Sequence, residues 1–303
     1  GASDTAVQFA RRGWKTLLTL ERGQTPVLRG QTPVTAGGSD PLVLAVTTDA
    51  RALDAAAAEK RTSDALARLV DSGIDRIYLK IDSTMRGSVP GQIAGALAVW
   101  RRTYPNASAV VCTAYPRMGR TTAANHVLVD GRPVERSAIG RDPVTPVKTS
   151  DLAVLIPGSR HVALDEIANR SAPDATRAPA PIFTVDARSD EDLAMLASAV
   201  EAAGPSAIPV GSAGLAGAMA AIWSEGVRPI EPVWVPGAGG SRSPRILIQM
   251  TSLHPASRAQ VARLAEAFPD VVVLTGLAEQ VAETFADLVE RERWDVLGLI
   301  GGD

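Results

Sequence analysis

Short apolar runs alternate with longer segments of helical periodicity along most of the 303-residue chain. The apolar runs have the length of buried strands, and the segments between them carry apolar residues at helical spacing. Strands are predicted over 15–20, 42–46, 77–81, 108–113, 182–185, 207–210, 245–250, 271–274 and 296–300. Helices are predicted over 3–12, 49–72 (interrupted near 61–64), 190–203 and 279–291, and after Gly87, Gly211 and Thr251. This alternation predicts an α/β fold with mostly parallel, doubly wound sheets.

The alternation is interrupted over 127–134, where Asp130-Gly131 lies between two apolar runs. An Asp-Gly pair favours a tight hairpin turn, because both residues tolerate a positive φ. We therefore expect a β-hairpin flap beside the site of the first domain.

Length and one irregular segment predict two domains. A chain of 303 residues exceeds what one ordinary core accommodates. Residues 231–244 combine three prolines with a Gly/Ser run and no periodicity, which is typical of a linker. We predict a first domain over 1–230, a linker over 231–244, a second α/β domain over 245–303, and a ligand cleft between the domains. We also expect a further strand before Gly1 and more sheet after Asp303.

One polar cluster, at 82–87, follows the predicted strand at 77–81 and precedes a helix. Ligands of open α/β sheets bind at this carboxyl edge of the strands. Asp82, Ser83 and Arg86 suit a small polyhydroxylated acid, with the Arg86 fork on its carboxylate and Asp82 accepting from its hydroxyls. The residues alone also fit a capped, salt-bridged βα loop.

Other loops offer weaker signals. Arg117, Arg120 and Thr121 follow the strand at 108–113 and would suit an anion, although exposed arginines are more often only solvated. The loop beginning at Gly211 could hold an anion at a helix start, or its small residues could allow close packing. In the second domain, Thr251-Ser252 and Gly301-Gly302-Asp303 follow two strands and could hold phosphates.

Composition excludes several classes of protein. A net charge of −2 and 4% aromatic residues argue against a nucleic-acid or membrane-surface partner. The single cysteine, Cys112, excludes an internal disulfide, fits a reducing cytoplasm and lies in an apolar run that predicts a buried thiol. Three histidines without HExxH or CxxC spacing predict no metal site formed by the protein. No apolar segment reaches membrane-spanning length.

Several motifs occur in the order found in one known family. They are Lys80-x-Asp82-Ser83-Thr84-x-Arg86-Gly87, Gly119-Arg120-Thr121-Thr122, Asp142-Pro143, Gly211-Ser212-Ala213-Gly214-Leu215-Ala216, Ser252 with Pro255, Ser257 and Gln260, and Gly301-Gly302-Asp303. Gly1-Ala2-x-Asp4-Thr5 is similar to the end of that family's opening Asp-Asp-x-Thr-Gly-Ala motif. The chain thus resembles the four-carbon acid sugar kinases, formerly a family of unknown function.

The resemblance implies an ATP-dependent kinase that phosphorylates the terminal hydroxyl of threonate, erythronate or a 3-oxo-tetronate, with Mg²⁺ bridging the phosphates. It implies that the acid sugar contacts residues of the first domain: Lys80, Asp82, Ser83, Arg86, Gly87 and Arg120. It implies that ATP contacts Ser252, Gly301, Gly302 and Asp303. Asp82 and Asp4 are the candidates for the catalytic base.

The chain departs from the family pattern in its second domain. Thr251-Ser252 replaces the usual Gly-Ser, the segment between Ser252 and Gly301 is short, and a further glycine-rich ATP loop is missing. Two rival functions stay open, a non-catalytic sugar-acid sensor and a nicotinamide-dependent dehydrogenase. The absence of GxGxxG argues against the second. The sequence also leaves open the stereochemistry of the acid and the oligomeric state, a homodimer included.

Overall fold

The computed structural model describes residues 2–19, 42–168, 182–224, 245–251, 255–268, 270–276 and 278–300. The predicted linker at 231–244 lies outside these ranges. The chain divides into two compact units, Gly1–Glu231 and Pro232–Asp303.

The first unit alternates strands and helices over most of its length. Its strands are β1 (Lys15–Thr19), β2 (Leu42–Val46), β3 (Leu79–Lys80), β4 (Ser108–Cys112), β5 (Arg120–Ala123), β6 (His126–Val129), β7 (Arg132–Pro133), β8 (Ser159–His161), β9 (Ile182–Thr184) and β10 (Ala207–Gly211). Its helices are α1 (Ala2–Ala10), α2 (Ala55–Asp71), α3 (Val89–Trp100), α4 (Leu152–Leu155), α5 (Leu164–Ala168), α6 (Asp190–Ala203) and α7 (Ala213–Trp223). These elements confirm the predicted α/β class.

A five-stranded parallel sheet is the centre of this unit. Its order is β3-β10-β4-β9-β8, and β1 pairs with β2 in a separate parallel pair. Successive residues of β4 lie in two different hydrophobic cores. Val111 lies in the core that contains Ile93 of α3, and Cys112 lies in the core that contains Leu196 of α6. Helices therefore cover both faces of the sheet, as expected for a parallel sheet.

An antiparallel sheet of β5, β6 and β7 follows β4. The turn between β6 and β7 places Asp130 at φ +51° and Gly131 at φ +74°, which confirms the predicted hairpin. A second such turn joins β5 to β6 through Ala124 and Asn125, at φ +49° and +64°. This turn has no glycine and was not predicted.

Two predicted elements differ in extent. The helix predicted over 49–72 begins at Ala55 and continues through the expected break at 61–64. It begins there because Asp54 caps its first turn, and within the expected break Ser63 turns its hydroxyl to the Gly95 carbonyl of α3. The strand predicted over 77–81 shortens to Leu79–Lys80, since the ladder with β10 pairs only these two residues.

The second unit contains a three-stranded parallel sheet of order β12-β11-β13. Its elements are β11 (Ile246–Met250), α8 (Pro255–Ala267), β12 (Val272–Thr275), α9 (Ala278–Arg291) and β13 (Val296–Ile300). They agree with the predicted pattern to within a few residues. Across the described ranges of both units, no helix is long and apolar enough to cross a membrane.

Candidate functional site

Asp82 is the centre of a polar loop at the carboxyl end of β3. Its Oδ2 accepts hydrogen bonds from the Thr84 amide (3.1 Å), the Thr84 hydroxyl, the Arg86 amide (3.3 Å) and Arg86 Nε (3.2 Å). Its Oδ1 accepts from Arg86 Nη2 at 3.0 Å and from Arg51 Nη2 at 3.5 Å. The side chain is only 12% exposed. One largely enclosed carboxylate therefore connects the residues of the loop.

The loop packs tightly against the segment that follows β2. Met85 and Gly87 both have a positive φ, +62° and +85°. A Cβ at Gly87 would lie 2.5 Å from the Arg51 carbonyl oxygen, so only glycine fits there. The Ser88 hydroxyl donates to the Leu53 carbonyl, which joins the two segments a second time. The strained loop is thus fixed from outside by its neighbour.

Arg86 joins two carboxylates from distant parts of the chain. Its Nε and Nη2 form a fork on Asp82, and its Nη1 donates to Asp142 Oδ2 at 3.1 Å. Burial acts to lower the pKa of Arg86, but the hydrogen bonds and charges of Asp82 and Asp142 together outweigh burial and raise this pKa. We expected this fork to point at a ligand carboxylate; in the structure Asp82 takes it, because the two residues belong to one tight turn. Arg86 retains two of its five N–H groups for a ligand.

Arg51 belongs to this charged cluster, although it was not predicted from the sequence. It lies just beyond β2 with its side chain 35% exposed, and it contacts Asp82. The available signal was its position after the carboxyl end of a predicted strand, where polar side chains meet those of the neighbouring strands.

Lys80 and Asp4 add one charge of each sign. Lys80 is half-buried, and its Nζ donates to the Ile81 carbonyl at 2.8 Å. Burial lowers the pKa of Lys80, while the negative charges of Asp4 and Asp82 act to raise it. Asp4 is exposed in the first turn of α1. The structure therefore brings the Asp4 and Lys80 predicted from sequence into one electrostatic cluster with Asp82.

Electrostatics separate the two candidates for the catalytic base. Burial alone would raise the pKa of Asp82, but the hydrogen bonds and charge of Arg86, with Thr84 and Arg51, hold this pKa well below its usual value. A carboxylate so strongly stabilised by donors is a poor proton acceptor at neutral pH. These contacts favour Asp4 over Asp82 as the base, and both assignments stay predictions.

The remaining predicted residues of the first domain lie as follows. Ser83 is half-buried beside Asp82. Arg120 is the first residue of β5, and its guanidinium donates to the Met118 carbonyl within the same hairpin. Among the contacts that the structure describes for Arg120, none joins it to Asp82 or Arg86. Its contact with the acid sugar stays a prediction.

The loop at Gly211 has a structural explanation. Ser212 caps α7 by accepting from the Gly214 amide, and its hydroxyl donates to the Ala114 carbonyl. A Cβ at Gly211 would lie 2.9 Å from the Tyr78 hydroxyl oxygen, and a Cβ at Gly214 would lie 2.7 Å from the Ala114 oxygen. These small residues allow close helix–strand packing, which supports that alternative over an anion site.

The residues expected to hold ATP lie outside the described ranges: Ser252, Gly301, Gly302 and Asp303. Within the described ranges, no group of three or more His, Cys, Asp or Glu side chains could hold a metal ion. Cys112 is buried, as predicted, and burial raises the pKa of its thiol to about 12.

The first unit is thus a doubly wound α/β domain with a charged cluster at the carboxyl edge of its strands. A family model described as "Sugar-binding N-terminal domain" matches residues 1–219. The chain belongs to this family.

Relatives with assigned activities are longer proteins. A D-threonate kinase from Bordetella bronchiseptica is 36% identical over 97% of this chain, which covers 65% of that protein. A D-threonate kinase from Salmonella typhimurium is 31% identical over 72% of this chain and 51% of that protein. A D-erythronate kinase from Heliobacterium modesticaldum is 33% identical over 52% of this chain and 33% of that protein. The chain thus spans between a third and two thirds of these relatives.

A solved structure is also similar. It is a domain of unknown function from Bordetella bronchiseptica, crystallised with bound citrate as a domain-swapped dimer. It is 32% identical with a TM-score of 0.62, and the match covers 100% of this chain and 71% of that one. A Haemophilus influenzae protein of 17% identity has the same fold, with a TM-score of 0.60.

Proposed function

We propose that the complete protein is an ATP-dependent kinase for a four-carbon acid sugar, with D-threonate as the first substrate to test and erythronate and 3-oxo-tetronate next. The observation that carries the proposal is the 36% identity to a D-threonate kinase over 97% of the chain. The charged cluster at Asp82 supports it, because cations and hydroxyls meet there at the edge of the sheet where ligands bind.

The acid is held by the cations of this cluster. Arg51 and the remaining N–H groups of Arg86 donate to its carboxylate, and Lys80 adds positive charge nearby. Ser83 and Arg120 are the further contacts that the family resemblance suggests. Citrate bound to the related Bordetella protein supports a site for small carboxylates.

Asp82 and Gly87 shape the site, and Asp4 performs the proton transfer. Asp4 accepts the proton of the terminal hydroxyl while the new bond forms between that oxygen and the γ-phosphorus. The bond from the γ-phosphorus to the ADP oxygen breaks in the same transfer. Asp4 suits this role because it is exposed and lies near enough to Lys80 for its charge to act on that ammonium.

ATP and Mg²⁺ are the cofactors of this proposal, and they would supply the phosphoryl group and neutralise its charge. The second unit would hold ATP through Ser252, Gly301, Gly302 and Asp303. The related Bordetella structure is a domain-swapped dimer, so light scattering of this protein should test a homodimer first.

The test is ADP release by the complete protein with Mg-ATP across D- and L-threonate, D- and L-erythronate and 3-oxo-tetronates. We expect release with one acid and loss of release in Arg86→Ala. The matched control is Arg76→Ala, which removes an arginine from an ion pair with Glu201 (3.2 Å) without touching the site. This variant should retain wild-type rates.

Two other outcomes would each reject a different part of the proposal, either its substrates or the kinase activity itself. Silence across the panel, with ATP still stabilising the fold, would keep the kinase and reject these substrates. Silence without ATP binding would refute the kinase and favour the sugar-acid sensor.

A further inference from the structure

Asp142 uses its two carboxylate oxygens for different purposes. Oδ1 accepts hydrogen bonds from the Val144 and Thr145 amides, at 3.0 and 2.8 Å. Oδ2 accepts from Arg86 Nη1 at 3.1 Å. The first pair of bonds fixes the side chain on its own turn, so the second oxygen is presented to Arg86 in a set position.

The segment that carries Asp142 is firmly attached to the first unit. The Asp142 amide donates to the Ile139 carbonyl, and the Val147 amide donates to the same oxygen. Lys148 Nζ donates to the Gly140 carbonyl at 3.2 Å, and Val147 is buried in the core shared by β3 and β4. Asp142 is therefore a rigid partner for Arg86.

Arg86 is held from two sides as a result. Asp82 accepts from its Nε and Nη2, and Asp142 accepts from its Nη1. The side chain of Asp82 is 12% exposed, that of Asp142 is 18% exposed and that of Arg86 is 24% exposed. Without Asp142, the planar guanidinium would be held along one edge only and could tilt as a rigid unit about its contact with Asp82. The two N–H groups left for a ligand would then lose their fixed direction.

We propose that Asp142 is a positioning residue for acid binding, which fixes the guanidinium of Arg86 so that its remaining N–H groups meet the carboxylate of the sugar acid. This role rests on the proposed function, since it takes the sugar acid as the ligand. It assigns to the Asp142-Pro143 motif a function that the motif alone did not indicate.

If Asp142 opposed acid binding, its substitution would change Kd in the opposite direction. Asp142 could instead compete with the ligand carboxylate for Arg86, because three carboxylates already balance the three cations of the cluster: Asp4, Asp82 and Asp142 against Arg51, Lys80 and Arg86. Removing its charge would then tighten acid binding. A positioning role predicts that the same change weakens binding.

Asp142→Asn is the decisive substitution. An asparagine can keep its oxygen on the Val144 and Thr145 amides, since turning its NH₂ towards them would oppose donor to donor. That NH₂ then faces Arg86 and cannot accept its hydrogen bond. The local turn is retained while the contact with Arg86 is lost. The matched control is Glu201→Gln, which alters a carboxylate that contacts Arg76 and Trp223 away from the site.

The first measurement is the dissociation constant of the complete protein for its acid by titration calorimetry without ATP. We expect Asp142→Asn to raise Kd about tenfold. This factor corresponds to a loss of about 1.4 kcal/mol of binding free energy, which is close to the contribution of one charge-assisted hydrogen bond. With ATP, KM should rise by a similar factor while kcat changes less than about threefold, since acid binding alone is affected. Glu201→Gln should change neither constant.

A second measurement repeats the substitution in an Arg86→Ala background. If Asp142 acts through Arg86, its further effect on Kd should be less than about twofold. An effect as large as in the wild type would overturn the proposal. So would an unchanged or lower Kd in the single variant.

The proposed function fails separately. A wild-type protein that binds the acid without phosphorylating it would refute the kinase, and the Kd comparison would still decide the role of Asp142. A wild-type protein that binds no sugar acid would overturn both.

Discussion

Asp82→Asn tests whether the Asp82 carboxylate holds the charged cluster together. Asp82 accepts hydrogen bonds from Thr84, Arg86 and Arg51 through both oxygens. Asparagine is almost the same size but places an NH₂ group against one set of these donors. The substitution therefore removes a charge and opposes donor to donor without opening a cavity.

The structure sets the magnitude of the effect. Breaking a buried ion pair by changing one partner costs about 3–5 kcal/mol, and a carboxylate whose pKa is strongly depressed contributes about 2–3 kcal/mol at neutral pH. We expect Asp82→Asn to destabilise the first unit by about 3 kcal/mol at pH 7. For a unit of this size, this corresponds to a fall in Tm of roughly 6–12 °C.

The loss should depend on pH in a defined direction. Because the folded state lowers the pKa of Asp82, its contribution to stability is present above the unfolded value of about 3.9 and is lost as the pH falls through that value towards the folded one. The difference between wild type and variant should thus be full at pH 6–7 and shrink below about pH 4. Calorimetry and urea unfolding at several pH values would measure it.

The control is Asp64→Asn, which alters an exposed carboxylate paired with Lys60 on α2. It should have no measurable effect on Tm. A fall in Tm for Asp82→Asn no larger than in this control, or a difference that stays constant from pH 7 to pH 3, would refute the reasoning.

Three further predictions follow from backbone geometry and burial. Gly87→Ala should lower Tm and weaken acid binding at least tenfold in calorimetry, because its Cβ would lie 2.5 Å from the Arg51 carbonyl oxygen; wild-type affinity would contradict this. At Gly131 a Cβ would meet open space, but the φ of +74° disfavours any other residue. Gly131→Ala should therefore lower the free energy of unfolding in urea by about 1 kcal/mol and leave Kd unchanged. A loss of binding free energy of the same size would show that the hairpin contributes to the site. The Cys112 thiol, whose pKa burial raises to about 12, should resist a thiol reagent at pH 8 until urea unfolds the protein, and rapid labelling of native protein would contradict the buried position.

Local patterns in the sequence predicted most of the fold. The apolar run of β4 and the helix Asp190–Ala203 were predictable because a buried strand and an amphipathic helix each repeat with a fixed period. The Asp130-Gly131 turn was predictable because few residue pairs accept a positive φ at both positions. The position of the polar loop after β3 was also predictable. The carboxyl ends of parallel strands lie at one edge of the sheet, and ligands of such sheets bind at that edge.

Tertiary contacts decided where local preferences were overruled. The turn at Ala124-Asn125 has no glycine and places an alanine at a positive φ, but Asp186 accepts from the Asn125 amide and Thr184 donates to the Asn125 side chain. Within the expected break of α2, Ser63 donates to the Gly95 carbonyl of α3. None of these three contacts leaves a signal in the local sequence, because the two partners of each contact are distant along the chain.

The candidate site divides in the same way. The sequence by itself determined that Lys80, Asp82, Ser83 and Arg86 would meet at one strand end, because they lie within one short loop. Only the tertiary structure decided that Arg51 and Asp142 complete the charged cluster and that the Arg86 fork is taken by Asp82. The physical reason is that a charge pairs with whichever opposite charge the fold brings within a few ångström, and that distance depends on the packing of distant segments.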